Sequence, residues 1–272
     1  MNDKKQPISV IFTLAIALLF SNAYAQKYDS EKTKNIIQKM IQAHGGMNKW
    51  KNAPTVSFTH DMLIPQNPKD RWISEEVHEQ GTRRSYHKWP KDNALLADTG
   101  DKVWTVGWKR ANPPKMMAGV SYFFLNLPWI TQDKGAKLKL QQSEKVPQIA
   151  GDNEYHTVRL TFEGASPYEY YELYIDKKDF MLKGVEYTIV DQDLFKTFKL
   201  PADTKYMGPC LKVYNEYTNV GGLKFTTDYD AYFLPQDLLM GKHYVTNYDI
   251  TRSFDEKNLK MPENGQVYVG NK

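Results

Sequence analysis

Three histidines and two neighbouring acids are the residues of this sequence whose types could form a metal site. His60 with Asp61, His78 with Glu79, and His87 lie on three consecutive predicted β-strands. Imidazole and carboxylate groups are common zinc ligands, and adjacent strands can bring them together. However, none of these residues shows a ligand spacing such as H-x-x-x-H with a third ligand. The pattern therefore favours surface histidines, and we predict no metal ligand and no effect of EDTA on the melting temperature.

No catalytic motif stands out in the sequence, so we predict a non-enzymatic protein without a cofactor. The G-x-S-x-G nucleophile motif, a phosphate-binding loop and a dinucleotide fingerprint are all missing. The single cysteine, Cys210, cannot form an intramolecular disulfide and is expected to be a buried apolar residue. A carboxylate pair for glycoside hydrolysis stays open, because separation in space defines such a pair. The candidates on predicted strands are Glu169, Glu172, Glu186, Glu216, Asp228 and Asp230.

The start of the chain has the pattern of a secretory signal peptide. Two lysines precede the apolar run Ile8–Phe20, and the small residues Ala23 and Ala25 follow it. The run is shorter than the roughly 20 apolar residues that span a bilayer. We therefore predict that residues 1–25 are removed on export and that residues 26–272 form a single domain in the periplasm.

Charge and composition narrow the class of partner. The formal net charge is +4 over 272 residues, and it falls to +3 because the predicted signal peptide takes away two lysines and one aspartate. A charge this small, without a cluster of Lys and Arg, argues against nucleic acid as a partner. Aromatic residues make up 13% of the chain. Such residues favour β-sheets and also line apolar or sugar-binding surfaces.

The predicted mature chain begins with an amphipathic helix and continues as short strands. Ile36, Ile37 and Ile41 fall on one face of the helix, which Gly45-Gly46 should end. His44 at that end is expected to bond free carbonyl groups, with a charge that suits the helix dipole. The strands, at about ten-residue spacing, are typical of an antiparallel meander. They cover 55–64, 71–79, 82–89, 93–98, 102–107, 136–146, 154–162, 169–176, 182–190, 210–219, 223–233 and 242–252.

One segment interrupts the strand pattern. Residues 113–130 are almost continuously apolar and are bounded by prolines. Pro113-Pro114 can begin a helix, and Pro128 should end it. A helix that is apolar on most sides must bury against other parts of the protein. It is therefore either a core helix packed on the sheet or a lid over an apolar cavity.

Four separate segments carry a family resemblance. The first helix ends in Ala43–Gly46 (AHGG) with Trp50 nearby, and Leu127–Trp129 (LPW) precedes a D-x-G turn. Tyr170–Tyr187 contains the hairpin sequence LYIDKKDFMLKGVEY, and Gly221–Tyr229 reads GGLKFTTDY. Together these segments resemble the LolA/LolB-like superfamily of periplasmic proteins, in particular its members whose first helix ends in HGG.

The resemblance implies a fold and a class of function. The fold would be mainly β: a strongly curved antiparallel sheet, an open half-barrel, with an N-terminal helix and a central lid-like helix on its concave face. The best-known members carry lipoproteins or sense lipid-modified or misfolded envelope components. Carriers of this kind hold acyl chains inside the half-barrel and gate the site with one arginine, a role that we assign to no residue of this chain.

We therefore predict a periplasmic monomer that binds or carries an apolar ligand, such as a lipid or a lipoprotein acyl chain, and that contacts the membrane transiently. One alternative is a glycan-binding or glycan-cleaving protein that uses aromatic platforms. Another is a sensor or interaction module that contacts an envelope protein. The candidate residues of the apolar cavity and its lid are Trp72, Trp89, Trp104, Trp108, Phe123, Phe124, Leu127 and Trp129.

Overall fold

The computed structural model describes residues 27–69, 71–142, 146–149 and 154–270. The predicted signal peptide, residues 1–25, lies outside these ranges. Within them, no helix combines the length and the apolar character that a membrane span requires.

The strands of the described residues form one curved, open, antiparallel sheet of 13 strands. The predicted mainly β half-barrel is therefore confirmed, and strand β13 is an addition that the sequence pattern did not predict. The strands are β1 (Thr55–Leu63), β2 (Arg71–Glu79), β3 (Ser85–Trp89), β4 (Ala94–Asp98), β5 (Val103–Val106), β6 (Ala136–Leu140), β7 (Tyr155–Phe162), β8 (Tyr171–Asp176), β9 (Leu182–Ile189), β10 (Met207–Val220), β11 (Leu223–Phe233), β12 (Leu238–Asp249) and β13 (Gln266–Tyr268).

Two meanders meet in the middle of the sheet. The spatial order is β13-β5-β4-β3-β2-β1-β12-β11-β10-β9-β8-β7-β6. Consecutive strands are hydrogen-bonded neighbours within each meander, and the long-range pairing of β1 with β12 joins the two. Because side chains alternate between faces, every second residue of β1, β2 and β3 points to the same side of the sheet.

The helices of the described residues are α1 (Glu31–Ala43), α2 (Met47–Asn52), α3 (Pro114–Leu125), α4 (Leu127–Ile130) and α5 (Gln192–Thr197). Residues of α1 to α4 share one hydrophobic core with the inner face of the sheet.

Helix α1 forms as the sequence predicts. Ser30 caps it by accepting the N–H of Thr33 at 3.1 Å. Ile37 is fully buried, which confirms the predicted inner face. The helix ends at Ala43, and a Cβ on Gly45 would lie 2.1 Å from the carbonyl oxygen of Gly222. Glycine at position 45 therefore lets the end of α1 approach the β10–β11 turn.

The apolar segment 113–130 forms two helices instead of one. Helix α3 begins at Pro114, as predicted, but it ends at Leu125, before the predicted stop. Pro128 lies in the first turn of α4, a position where its missing N–H costs no helical hydrogen bond. The proline therefore begins the second helix, and the break between the helices lies at Asn126.

Candidate functional site

An apolar cavity of about 340 Å³ lies beside helix α3. Its volume is within the range of about 300–1,000 Å³ that is usual for small-molecule sites. Gly119 leaves part of it open, because a Cβ built on this residue meets no atom within 4 Å. The cavity is lined by His78, Arg83, Met116, Ala118, Gly119, Val120, Tyr122, Phe123, Phe124 and Tyr171.

Of the candidate cavity residues named from the sequence, Phe123 and Phe124 line this cavity. Phe123 is half-buried, with its ring centroid 4.7 Å from that of Tyr171. Phe124 is buried and packs 4.5 Å from Tyr187. Both rings line the cavity, but Phe124 also belongs to the buried core, whereas Phe123 only packs against it.

Leu127 and Trp129 are fully buried parts of the main core. The indole of Trp129 stacks on that of Trp50, with ring centroids 4.5 Å apart and planes inclined by 8°. These α4 residues fill space in the half-barrel and leave none of their surface for a ligand.

Three of the tryptophans that were predicted to line the cavity surround the side chain of Arg110 instead. The guanidinium of Arg110 lies 5.7 Å from the ring centre of Trp72, 4.6 Å from that of Trp89 and 5.5 Å from that of Trp108. Arg110 also forms an ion pair with Asp92. Such cation–π contacts stabilise a partly desolvated guanidinium. The three tryptophans therefore enclose a residue of the protein itself.

Trp104 lies on the other face of the sheet. Its neighbour Val103 packs with the inner cluster that contains Ala118 of α3, so Trp104 points outward by strand alternation. Its indole N–H donates to the carbonyl oxygen of Leu259 at 3.0 Å, and its ring contacts Tyr86. The structure thus does not bring Trp104 together with the cavity residues.

A buried row of polar side chains crosses the inner face of the sheet under α3. Tyr229 on β11 and His243 on β12 both contact Nε2 of His60 on β1, at 3.0 and 2.9 Å. The other nitrogen of His60, Nδ1, lies 3.3 Å from the hydroxyl of Ser121 on α3. Ser121 in turn donates to Oε1 of Glu76 at 3.2 Å. Because Ser121 donates to Glu76, its oxygen accepts the Nδ1–H of His60, and in the neutral ring Tyr229 and His243 share the single lone pair of Nε2.

Glu76 is buried, and its two carboxylate oxygens have different neighbours. Oε1 accepts hydrogen bonds from Ser121 and, at 2.7 Å, from Ser74. Oε2 lies 3.2 Å from Nε2 of His78 and 3.3 Å from Nδ1 of His87. Burial raises the pKa of Glu76, but the nearby histidines outweigh it and hold this pKa well below its usual range.

The prediction of surface histidines is wrong for His78 and His87. The two side chains are 1% and 0% exposed. Glu76 and His87 are direct cross-strand partners, and His78 follows Glu76 on the same face of β2. A ligand atom from each of these three residues lies within 4.8 Å of the others. Sheet register therefore creates a cluster that no linear spacing reveals.

Lys212 on β10 lies next to the row of polar side chains. Its ammonium lies 4.6 Å from the ring centre of Tyr229 and 4.7 Å from that of Phe124. Burial lowers the pKa of Lys212 to about 7. A buried lysine beside two aromatic rings thus exchanges its proton near neutral pH.

His44 fills part of its predicted role. Its Nδ1 lies 2.8 Å from the carbonyl oxygen of Met40, as expected for a ring that bonds the end of α1. The predicted charge is wrong, because burial lowers the pKa of His44 to about 4. The ring is therefore neutral at physiological pH and contributes a hydrogen bond without a charge.

The single cysteine, Cys210, is fully buried, as predicted.

No protein-family model and no curated protein matches the sequence. Solved structures do share the architecture. A LolA superfamily protein from Nitrosomonas europaea is 12% identical with a TM-score of 0.51, over 83% of this chain and 96% of that one. A DUF1329 family protein from Desulfovibrio piger is 11% identical with a TM-score of 0.53, over 85% and 98%. An outer membrane lipoprotein-sorting protein domain from Vibrio parahaemolyticus is 10% identical with a TM-score of 0.50, over 84% and 96%.

The protein has a LolA/LolB-like fold, which confirms the resemblance inferred from its sequence. Identities this low establish the architecture alone. The cavity beside α3 and the polar groups under that helix are the features of this structure that bear on function.

Proposed function

We propose that the protein binds or carries an apolar ligand, such as a lipid or a lipoprotein acyl chain, without catalysing a reaction. The cavity beside α3 is the observation that carries this proposal. Its walls are formed largely by apolar and aromatic side chains of α3 together with Tyr171 of β8. Transfer of an acyl chain from water to such a surface is favourable by about 0.8 kcal/mol for each buried methylene.

A larger cavity of about 540 Å³ fits an apolar ligand less well. It lies between α2, the β2–β3 turn and the end of α4, and charged residues contribute to its lining, among them Lys51, Arg83, Asp133 and Lys134. A ligand without polar groups would desolvate these charges and return no hydrogen bonds. The cavity beside α3, whose lining is mostly apolar, therefore fits an apolar ligand better than the larger cavity does.

We place this activity in the periplasm, in a single mature domain of residues 26–272. The signal-peptide pattern supports export, and the named neighbours include a lipoprotein-sorting domain. Intact mass of the protein recovered from the cell envelope tests the processing step. A mass that begins at Gln26 supports it, and a mass that retains residues 1–25 contradicts it.

Binding of a fluorescent fatty-acid probe tests the ligand site. Phe123→Ser should weaken saturable probe binding more than it lowers the melting temperature, because Phe123 borders the cavity and is half-buried. Phe124→Ala should instead cost about 3–5 kcal/mol of stability, as truncation of a core aromatic does. Phe198→Ser is the matched control for the first variant, because this ring is 49% exposed and lies outside the cavity lining.

Gly119→Leu should remove probe binding without lowering the stability of the protein. The new side chain enters open space, and leucine favours a helix over glycine by nearly 1 kcal/mol. This variant should therefore melt at the same temperature or higher and still lose probe binding. Absence of saturable probe binding by the wild type, together with no copurified lipid, would contradict the proposed function.

A further inference from the structure

The cluster of Glu76, His78 and His87 is a polar site next to the apolar cavity that the proposed function uses, and His78 belongs to both. All three side chains are buried, and each is carried by a strand in the middle of a meander. Strands fix side chains more firmly than loops do, which is a requirement for a site of defined geometry. The arrangement of their nitrogen and oxygen atoms is therefore a property of the fold.

The distances from Glu76 to the two histidines match those between neighbouring ligands of one metal ion. Metal–ligand bonds of about 2.0–2.1 Å at a tetrahedral angle separate neighbouring ligand atoms by about 3.3–3.4 Å. Oε2 of Glu76 lies 3.2 Å from Nε2 of His78 and 3.3 Å from Nδ1 of His87. Two imidazoles and one carboxylate are a ligand set of metal sites that keep a position open for water or another molecule.

The hydrogen bonds around the cluster orient its atoms for metal binding. Ser85 donates to the carbonyl oxygen of Ala118 at 3.2 Å, so its oxygen accepts the Nε2–H of His87 at 2.9 Å. In the neutral ring this leaves a lone pair on Nδ1, which faces the cluster. A hydrogen bond from the remote nitrogen of a ligating histidine is a regular feature of metal sites.

Nδ1 of His87 has no hydrogen-bond partner among the described residues, although it is buried. It is 3.3 Å from Oε2 of Glu76, but the two atoms are not aligned as donor and acceptor. A buried nitrogen in this state is costly. A cation between the lone pair and the carboxylate would satisfy both atoms at once.

We propose that Glu76 Oε2, His78 Nε2 and His87 Nδ1 bind one divalent transition-metal ion, for which zinc is the probe. Ser74 and Ser121 hold the free oxygen of the carboxylate, and Ser85 holds the ring of His87. His78 also lines the cavity beside α3, so the proposed metal site adjoins that cavity. The fourth ligand is then water or a polar group of a molecule in that cavity.

Calorimetric titration of the untagged, chelator-treated wild-type protein with ZnCl2 tests the proposal. The expected result is saturable binding of one zinc per chain, with a melting temperature that rises with zinc concentration. Elemental analysis of the purified protein should also find a divalent transition metal near one equivalent. A wild-type protein that shows no saturable zinc binding overturns the proposal, and the cluster is then a buried Glu–His ion pair.

Variants separate this site from adventitious binding at the surface. His78→Gln and His87→Gln each remove a ligand and should abolish the high-affinity phase. Ser85→Ala leaves all three ligands in place and should weaken binding about 10–100-fold, as loss of an orienting hydrogen bond does. His156→Gln is the control, because this histidine of β7 stacks on Phe180, far from the cluster in the sheet. Equal zinc affinity in the Ser85→Ala and wild-type proteins, or a loss in His156→Gln, counts against the assignment.

Visible absorption after cobalt substitution is a second measurement for variants that fold poorly. Cobalt held by imidazole ligands in a buried site gives visible bands in the wild-type protein, and zinc should displace them. The readout is independent of probe binding, so failure of the metal site and failure of the apolar site can be told apart. Bands that persist in both histidine variants would place the cobalt elsewhere and overturn the proposal.

Discussion

The hydroxyl of Tyr214 on β10 donates a hydrogen bond to the carbonyl oxygen of Phe124 near the end of α3, across 2.7 Å. This bond is buried and joins residues that are 90 positions apart in the chain. It anchors the lid-like helix to the sheet at the residue next to Phe123. The C-terminal end of α3 is thus tied to the sheet by a polar contact as well as by packing.

Tyr214→Phe removes this bond and keeps the ring. We expect a loss of about 1–3 kcal/mol in the free energy of unfolding, because a buried carbonyl oxygen loses its partner. Amide hydrogen exchange should become faster in the last turn of α3 and remain unchanged in β7 and β8. Uniformly faster exchange would indicate global destabilisation and contradict an anchoring role for this contact.

Local patterns in the sequence account for most of the elements. Alternating apolar residues separated by turn residues predict β1 to β12, because each strand carries its own signal, although β6 ends at Leu140, six residues before its predicted end. Strand β13 is only three residues long, Gln266–Tyr268, and none of its residues is fully buried. So short and exposed a strand forms by pairing with β5, a partner that is remote in sequence.

The polar cluster was missed because strand register decides it. His78 and Glu79 are adjacent in sequence, yet adjacent residues of a strand point to opposite faces. A signal was present in β2, where Ser74, Glu76 and His78 alternate with apolar or exposed residues such as Ile73. These three polar residues are buried, whereas Ile73 is 38% exposed. In this strand polar residues face inward and an apolar residue faces outward, which is the reverse of ordinary core packing and indicates a polar site on the inner face.

Ile37→Asp tests whether α1 packs on the sheet. The change buries a carboxylate without a partner, and we expect a loss of several kcal/mol in the free energy of unfolding. Asn35→Asp is the matched control, because residue 35 is exposed on the same helix. Chemical denaturation of both variants provides the measurement. Equal stability of Ile37→Asp and the wild type would show that α1 does not contribute to the core.

His44 should make the protein sensitive to mild acid. Burial lowers the pKa of His44 to about 4 in the folded state, whereas the unfolded state has a value near 6.5. The unfolded chain therefore binds the proton first, and stability falls as the pH drops below about 6.5. Relative to His44→Asn, the wild type should lose about 3 kcal/mol between pH 7 and pH 4. Parallel stability profiles of the two proteins would mean that the pKa of His44 is the same in the folded and unfolded states, which would contradict the shift caused by burial.

Lys212→Met should stabilise the protein at neutral pH. Burial lowers the pKa of Lys212 from 10.5 to about 7. At pH 7 the unfolded chain keeps its proton while the folded chain loses much of it, so folding carries a penalty on the order of 4 kcal/mol. Methionine has a similar length and removes this penalty without opening a large cavity.

The gain in stability from Lys212→Met should depend on pH. As the pH rises towards 10, the lysine of the unfolded wild type also loses its proton, and the difference between the two proteins should shrink to about 1 kcal/mol. Denaturation curves of both proteins at pH 7 and pH 10 provide the measurement. A methionine variant that is less stable at pH 7 would show that the contacts of the ammonium with Phe124 and Tyr229 outweigh its desolvation. The predicted stabilisation instead identifies Lys212 as a residue retained at a cost, which is typical of groups that serve binding or chemistry.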